Sequence, residues 1–138
     1  MAQHIFIPKS FFEETLRTIP TQGKKHLEPF KTFAKEHSLP LNILEDKEVV
    51  NEGEIHDYED DLWQCLEGSV TFVCGGVLES KKAHPTKKGE WSGTGIGGGK
   101  EYTLGSGDWL WIPAGEPHIH RTDTTARLII IKIPKKNQ

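Results

Sequence analysis

His118 and His120 stand two residues apart, just beyond the turn-forming run Pro113-Ala-Gly115. On a strand that spacing sends both side chains to one face. Two imidazoles beside a rigid turn are a way for a β-barrel to present nitrogen ligands to a metal ion. The residues leading to them, Gly107-Asp-Trp-Leu-Trp-Ile112, have strong β character after a Gly-Asp break, so the segment reads as strand, turn, strand. Upstream, Glu54 and His56 have the same two-residue spacing, and Asp61 lies just beyond the acidic run from Asp57 to Asp60, which reads as a solvated turn. Imidazoles and carboxylates can ligate a metal or move protons.

The elements that must position these groups are short. Strands are expected at 41–44, 48–50, 62–66, 69–74, 100–104, 109–112, 118–121 and 126–133. Strands and turn signals at this density indicate a barrel or sandwich. Glu67-Gly68 reads as a two-residue hairpin turn between 62–66 and 69–74. In that register Cys65 and Cys74 lie too far apart along the ladder for a disulfide, and two inert core thiols are expected. The same register turns Trp63, Cys65, Val70, Phe72 and Cys74 inward with Asp61. Trp109 and Trp111 share a face, and with Trp63 and Phe72 they are the candidate walls of a substrate pocket.

Ahead of the strands, Ser10-Phe-Phe-Glu13 has the capping-box pattern, which predicts a helix over 11–18. Phe30, Phe33 and Ala34 share one face of a second helix over 30–36, stopped by Ser38-Leu-Pro40. Residues 4–7 alternate weakly, as a short edge or swapped strand would. From 75 to 99 runs a polar, glycine-rich excursion with Lys81-Lys82 and Lys87-Lys88, long enough to be a lid or a mobile surface, from which Trp91 and Ile96 should dock. Within it, Gly93-Thr-Gly95-Ile-Gly-Gly98 fits the dinucleotide fingerprint. That fingerprint needs a helix after it, whereas Lys100-Glu-Tyr-Thr-Leu104 reads as a strand, so these are turn glycines.

At 138 residues, with a net charge of −3 and 27% charged residues of both signs, the chain reads as one compact domain. No basic field is present to hold a phosphate backbone, so no nucleic-acid partner is expected. No apolar run approaches a membrane span. The start, Met1-Ala-Gln-His-Ile-Phe-Ile-Pro8, lacks the pattern of a signal peptide, and a cytoplasmic location is expected.

The run Gly107 to His118 matches Gly-x5-Pro-x-Gly-x2-His, and so resembles the second motif of the cupin superfamily; Thr122 stands where an asparagine often follows. Glu54-Ile-His56-Asp-Tyr-Glu-Asp-Asp61, continuing to Gly68, resembles the first motif, His-x-His-x4-Glu-x6-Gly, with Glu54 replacing the first histidine and Asp61 the glutamate. The resemblance covers roughly residues 41 to 133. It implies an all-β cupin double-stranded β-helix, a jelly-roll barrel over 41–138, with a short α-helical N-terminal extension over 1–40. It further implies that Glu54, His56, Asp61 and His118 meet around one cavity as metal ligands. Two nitrogens and two carboxylates suit Fe2+ or Mn2+ best, with Zn2+ possible. Glu54 could instead be a solvated rim residue, and Asp61, a methylene shorter than glutamate, could orient His56 or bind water.

A metal-dependent cupin enzyme acting on an anionic or oxygen-rich small molecule is the leading expectation. Dioxygenase-like oxidative chemistry comes first, ahead of isomerase, lyase or cyclase chemistry, with His120 or a spare carboxylate as general base. The alternative is a non-catalytic small-molecule-binding or sensor cupin with weak or no metal. By resemblance a homodimer is expected, and the aromatic N-terminal segment (Phe6, Phe11, Phe12, Phe30 and Phe33) offers apolar surface for one.

Overall fold

The computed structural model describes residues 3–135. In chain order the elements are α1 (Lys9–Leu16), β1 (Gly23–His26), α2 (Phe30–Glu36), β2 (Leu41–Val50), β3 (Gly53–His56), β4 (Glu59–Cys74), β5 (Val77–Glu79), β6 (Lys82–Ala83), β7 (Glu90–Gly93), β8 (Gly95–Gly97), β9 (Lys100–Gly105), β10 (Trp109–Ile112) and β11 (His118–Pro134). The architecture is all-β, as expected. The long strand β11 lies at its centre, pairing antiparallel with β2, β3 and β4, while β4 also pairs with β9 and β10. The pair β5–β8 forms a separate ribbon. Among the described residues no helix is long and apolar enough to cross a membrane.

Alternation along β4 and β11 splits two apolar layers. Trp63, Cys65, Val70, Phe72, Leu128 and Ile130 face inward and, with Leu44, Leu104, Ile112 and Ala126, fill the barrel. Ile43 and Ile129 face outward and are covered by Leu27, Phe30, Phe33, Phe11 and Phe12. Residues 7–40 are thereby tied to the barrel. The helices cap its outer face, and β1, whose polar sequence Gly-Lys-Lys-His carries no strand signal, pairs with β2. Four of the five aromatic residues expected to offer a dimer surface pack on their own barrel, leaving Phe6 exposed.

Several expectations are corrected. No hairpin breaks at Glu67-Gly68, because β4 runs through as one strand. The inward set is nevertheless as expected, since inward parity switches from odd to even positions there, and a bulge switches it as well as a turn would. At Gly68 φ is +78°, and an added Cβ would lie 1.9 Å from the Thr125 carbonyl oxygen, so only glycine lets β11 cross at this point. The expected strands 118–121 and 126–133 merge likewise into β11, with register shifts beside the same bulge. Thr122, in the position where cupins often have asparagine, donates to the Ser69 carbonyl there at 2.8 Å. The first helix starts at Lys9 after Pro8 with no side-chain cap, so Ser10 is not a capping residue. Residues 4–7 form no strand.

Both cysteines are free. Burial pushes the Cys74 thiol up to about 11 and raises Cys65 as well, which keeps both protonated and inert at neutral pH. The excursion from 75 to 99 is folded into four short strands. In it, Trp91 docks by donating its indole N–H to Asp57 at 2.9 Å, with Lys81 Nζ 4.2 Å from the ring centroid. The Gly93 to Gly98 stretch lies on β7 and β8 with no helix after it.

Candidate metal centre

The site assembles where β3, the start of β4 and the start of β11 meet. Glu54 and His56 lie two apart on β3, and Glu54 pairs in register with His118 on β11. The tight turn ahead of β11 is pinned from both sides. The Gly115 amide donates to the His56 carbonyl at 2.9 Å, and the Ala114 amide donates to Asp60 Oδ1 at 2.6 Å. Asp60 is therefore not part of a solvated acidic turn; it is buried and holds the turn that aims His118.

Glu54, His56 and His118 offer donor atoms that all lie within 4.8 Å of one another. Asp61 joins them: its Oδ2 is 3.3 Å from His118 Nε2 and 3.5 Å from His56 Nε2. His118 is 2% exposed and Asp61 is 1% exposed. His118 Nδ1 lies 3.1 Å from the Glu116 carbonyl, and His56 Nδ1 lies 2.8 Å from a Glu90 carboxylate oxygen. Each acceptor fixes an N–H on Nδ1, so each Nε2 presents to the shared centre a lone pair when the ring is neutral and an N–H when it is protonated.

Lone pairs facing a carboxylate repel unless a cation or a proton stands between them. Asp61 Oδ2 and His118 Nε2 are both buried without any hydrogen-bond partner. Such orphaned acceptors are costly, and a cation or a proton between them would satisfy both. Two nitrogens and two carboxylates fit a divalent metal ion.

The charges within the cluster are strongly coupled. Burial opposes ionisation of Glu54, but the His56 imidazole 3.4 Å away, together with Lys24, holds its carboxyl far below the usual range. Burial likewise works against Asp61, and the His118 imidazole and Lys132 ammonium outweigh it and lower its pKa. For His56, burial lowers the pKa but Glu54, Asp61 and Glu90 raise it on balance.

Lowered carboxylates contribute stability above their unfolded values of 4.5 and 3.8, and this is lost as pH falls toward their folded values. A raised histidine contributes below its unfolded value of 6.5, and this is lost as pH rises through the folded value. Thermal melts of chelator-treated protein should therefore peak between these windows, near pH 5 to 6. A melting temperature that keeps rising from pH 6 to 8 would contradict this coupling.

The remaining expected site residues separate. His120 faces inward as expected but belongs to a second cluster. Its ring lies 5.1 Å from Trp63 and 5.1 Å from Phe72, and its Nδ1 is 2.5 Å from Asp46. With Asn51 also on that nitrogen, at 2.9 Å, His120 is a packed core pair and not a base at the cavity. Trp109 and Trp111 face solvent, 53% and 49% exposed, because Leu110 and Ile112 take the inner side of β10; neither lines the cavity. Phe72 is fully buried and also off the cavity wall. Of the four pocket candidates Trp63 alone lines the cavity.

That cavity, about 410 Å3, opens beside Glu54 and His56. Leu41, Leu44, Ile130 and Trp63 give it an apolar side, and Lys24, Lys87 and Lys132 bring positive charge, while burial and the neighbouring lysines lower the pKa of His26 and keep it neutral. Lys132 is the residue that sequence reasoning missed. Its Nζ donates to Asp61 Oδ1 at 2.7 Å and lies 3.3 Å from His56 Nε2. Its signal was present: a charged residue at the inward parity of the apolar run Leu128, Ile130, Lys132. Glu90 had no such signal, because the fold of the excursion alone brings it to His56.

No family model matches the sequence, and no curated protein matches it. Solved structures do. Drosophila melanogaster CENP-C bound to CAL1 aligns over 67% of this chain and 64% of its own, at 14% identity and a TM-score of 0.50. The Drosophila melanogaster CENP-C cupin domain aligns over 71% and 58%, at 15% identity and 0.49. Recombinant oxalate oxidase in complex with glycolate aligns over 71% and 43%, at 15% identity and 0.47. The chain spans less than two thirds of each of these. At such identities the likeness concerns the fold alone, and with the antiparallel strands around one core it agrees with the expected all-β barrel.

Proposed function

We propose that this cupin is a divalent-metal enzyme acting on a small anionic or oxygen-rich molecule, with dioxygenase-like oxidative chemistry as the leading reaction class. The observation that carries the reading is the pair of orphaned, buried lone-pair donors, Asp61 Oδ2 and His118 Nε2, facing each other at 3.3 Å beside Glu54 and His56. These four residues would hold the ion, and two oxygen donors favour Fe2+ or Mn2+ over Zn2+. A bound ion supplies Lewis acidity or a seat for oxygen chemistry.

The chain's own residues do the rest. Glu90 and the Glu116 carbonyl orient the two imidazoles. Lys24, Lys87 and Lys132 attract and hold an anion, and the apolar wall excludes water from its other side. The Trp63 indole N–H and Asn42 Oδ1 are buried without partners, and both residues line the cavity. A ligand with an acceptor and a donor on its body would satisfy them.

Anaerobically reconstituted Fe2+ protein should consume oxygen with one or more members of a panel of small aromatic, hydroxy and keto acids, and His56→Ala should not. Absence of oxygen uptake across the panel, with product formed from one of its members, would overturn the oxidative class and leave Lewis-acid chemistry. A second reading, a metal-free binding module, is favoured by one observation: the Lys132 ammonium already neutralises Asp61. The homodimer is a proposal by resemblance, and a sedimentation run giving a monomer would remove it.

A further inference from the structure

Two carboxylates and two imidazoles with converging lone pairs concentrate negative charge in a place where Asp61 is 1% exposed. Burying such charge without a counter-ion is strongly unfavourable. In the metal-free protein the counter-ion is Lys132. It stands directly across the ladder from Asp61, in register on β11, and its own amide is fixed to the Pro40 carbonyl at 2.7 Å. From there the side chain reaches two of the four candidate ligands, Asp61 at 2.7 Å and His56 at 3.3 Å. Lys24 reaches a third, Glu54, at 3.6 Å.

An ammonium is an incomplete substitute for a metal ion. It has three donor hydrogens on a carbon stem and cannot reach the centre of the cluster, so Asp61 Oδ2 and His118 Nε2 remain orphaned. A divalent ion would use the same lone pair of His56, and would meet Asp61 through Oδ2 while Lys132 holds Oδ1, so the two cations contend directly for His56 and through like-charge repulsion across the Asp61 carboxylate.

We propose that Lys132 is an intramolecular stand-in for the metal, which competes with the ion for Asp61 and His56 and, once displaced, serves as the anchor for an anionic ligand in the cavity. The four-carbon stem lets the ammonium turn without moving β11, and the side chain, 34% exposed, already lines the cavity that Lys24 and Lys87 make positive. One group thus keeps the site folded without metal and weakens its affinity for metal. It also ties ligand capture to metal loading. The inference rests on the metal-centre reading above.

The test is Mn2+ titration followed by the electron paramagnetic resonance of free Mn2+, on the full chain and on Lys132→Met and Lys132→Gln. Removing the competitor should tighten Mn2+ binding by about tenfold or more in both variants. The glutamine keeps a hydrogen-bond donor to Asp61, so tightening in both assigns the effect to charge. In the unaltered protein, acetylation of Lys132 by acetic anhydride, read by mass spectrometry, should rise on adding Mn2+. This readout decides the matter if the variants fold poorly. Equal or weaker Mn2+ binding in the variants, or Lys132 labelling that Mn2+ leaves unchanged, overturns this inference while the metal centre stands. Mn2+ bound by none of the three proteins overturns both.

Discussion

His118→Ala should weaken Fe2+ or Mn2+ binding by more than about 100-fold while leaving the fold in place. Loss of a residue that merely orients a metal ligand costs about 10- to 100-fold, and on the proposed reading His118 would itself be a ligand. Its ring is small, its Nδ1 contact is to a single carbonyl, and Asp61, which loses a neighbour, keeps its contact to Lys132 at 2.7 Å. His56→Ala should have a similar effect on metal. It should also disturb the metal-free protein, because it removes the partner of Glu90, Glu54 and Lys132 together. Isothermal titration of the three proteins with Mn2+ under anaerobic conditions separates these outcomes. An unchanged affinity in His118→Ala would place the ion elsewhere.

Arg127→Met should be the most destabilising single replacement on the barrel's outer face, costing about 3–5 kcal/mol. Arg127 lies on β11, 4% exposed, and its guanidinium meets Glu45, which is 0% exposed, at 2.9 Å. The same guanidinium donates to the carbonyls of Leu16 and Thr18, which fastens the end of α1 to the sheet. Removing it strands a buried carboxylate whose remaining partners are the Thr21 amide and Lys25 at 3.5 Å. Thermal melts should fall by roughly 10 °C or more for a chain of this size. Adding Glu45→Leu should restore a substantial part of the loss, because an apolar pair replaces an uncompensated charge. A double variant as unstable as the single one would show that the carboxylate is not what makes the loss large.

The parts of the fold written in local sequence were legible. Strong β character between a Gly-Asp break and a Pro/Gly turn placed the β10 strand at its observed bounds, and α2 followed from Phe30, Phe33 and Ala34. The turn Pro113-Ala-Gly115 and the histidine after it are carried by residues whose backbone preferences leave little choice. The parity switch at Gly68 was legible as well, but its cause was not. A turn and a bulge switch faces alike, and β11 alone, crossing at Thr125, decides between them.

The same division holds for the candidate site. Glu54, His56, Asp61 and His118 stand at motif spacing in the sequence, and the fold brings the four side chains together. The orientation of Trp109 and Trp111 was not readable, because an edge strand with apolar residues on both faces gives no sign of which side is the core. His120 shares its face with His118, yet two residues along a strand are enough to carry it out of the site and against Asp46. Lys132 and Glu90 come from segments distant in sequence, and their roles exist only once β11 and the excursion are folded.

The most direct measurement is elemental analysis by inductively coupled plasma on anaerobically purified protein, beside the His56→Ala, His118→Ala double variant. Near-stoichiometric iron or manganese in the first, and its loss in the second, is the expected result. A protein that carries no metal, and takes up none on incubation with Fe2+, Mn2+ or Zn2+, would contradict the metal centre and leave the cavity as a metal-free binding site.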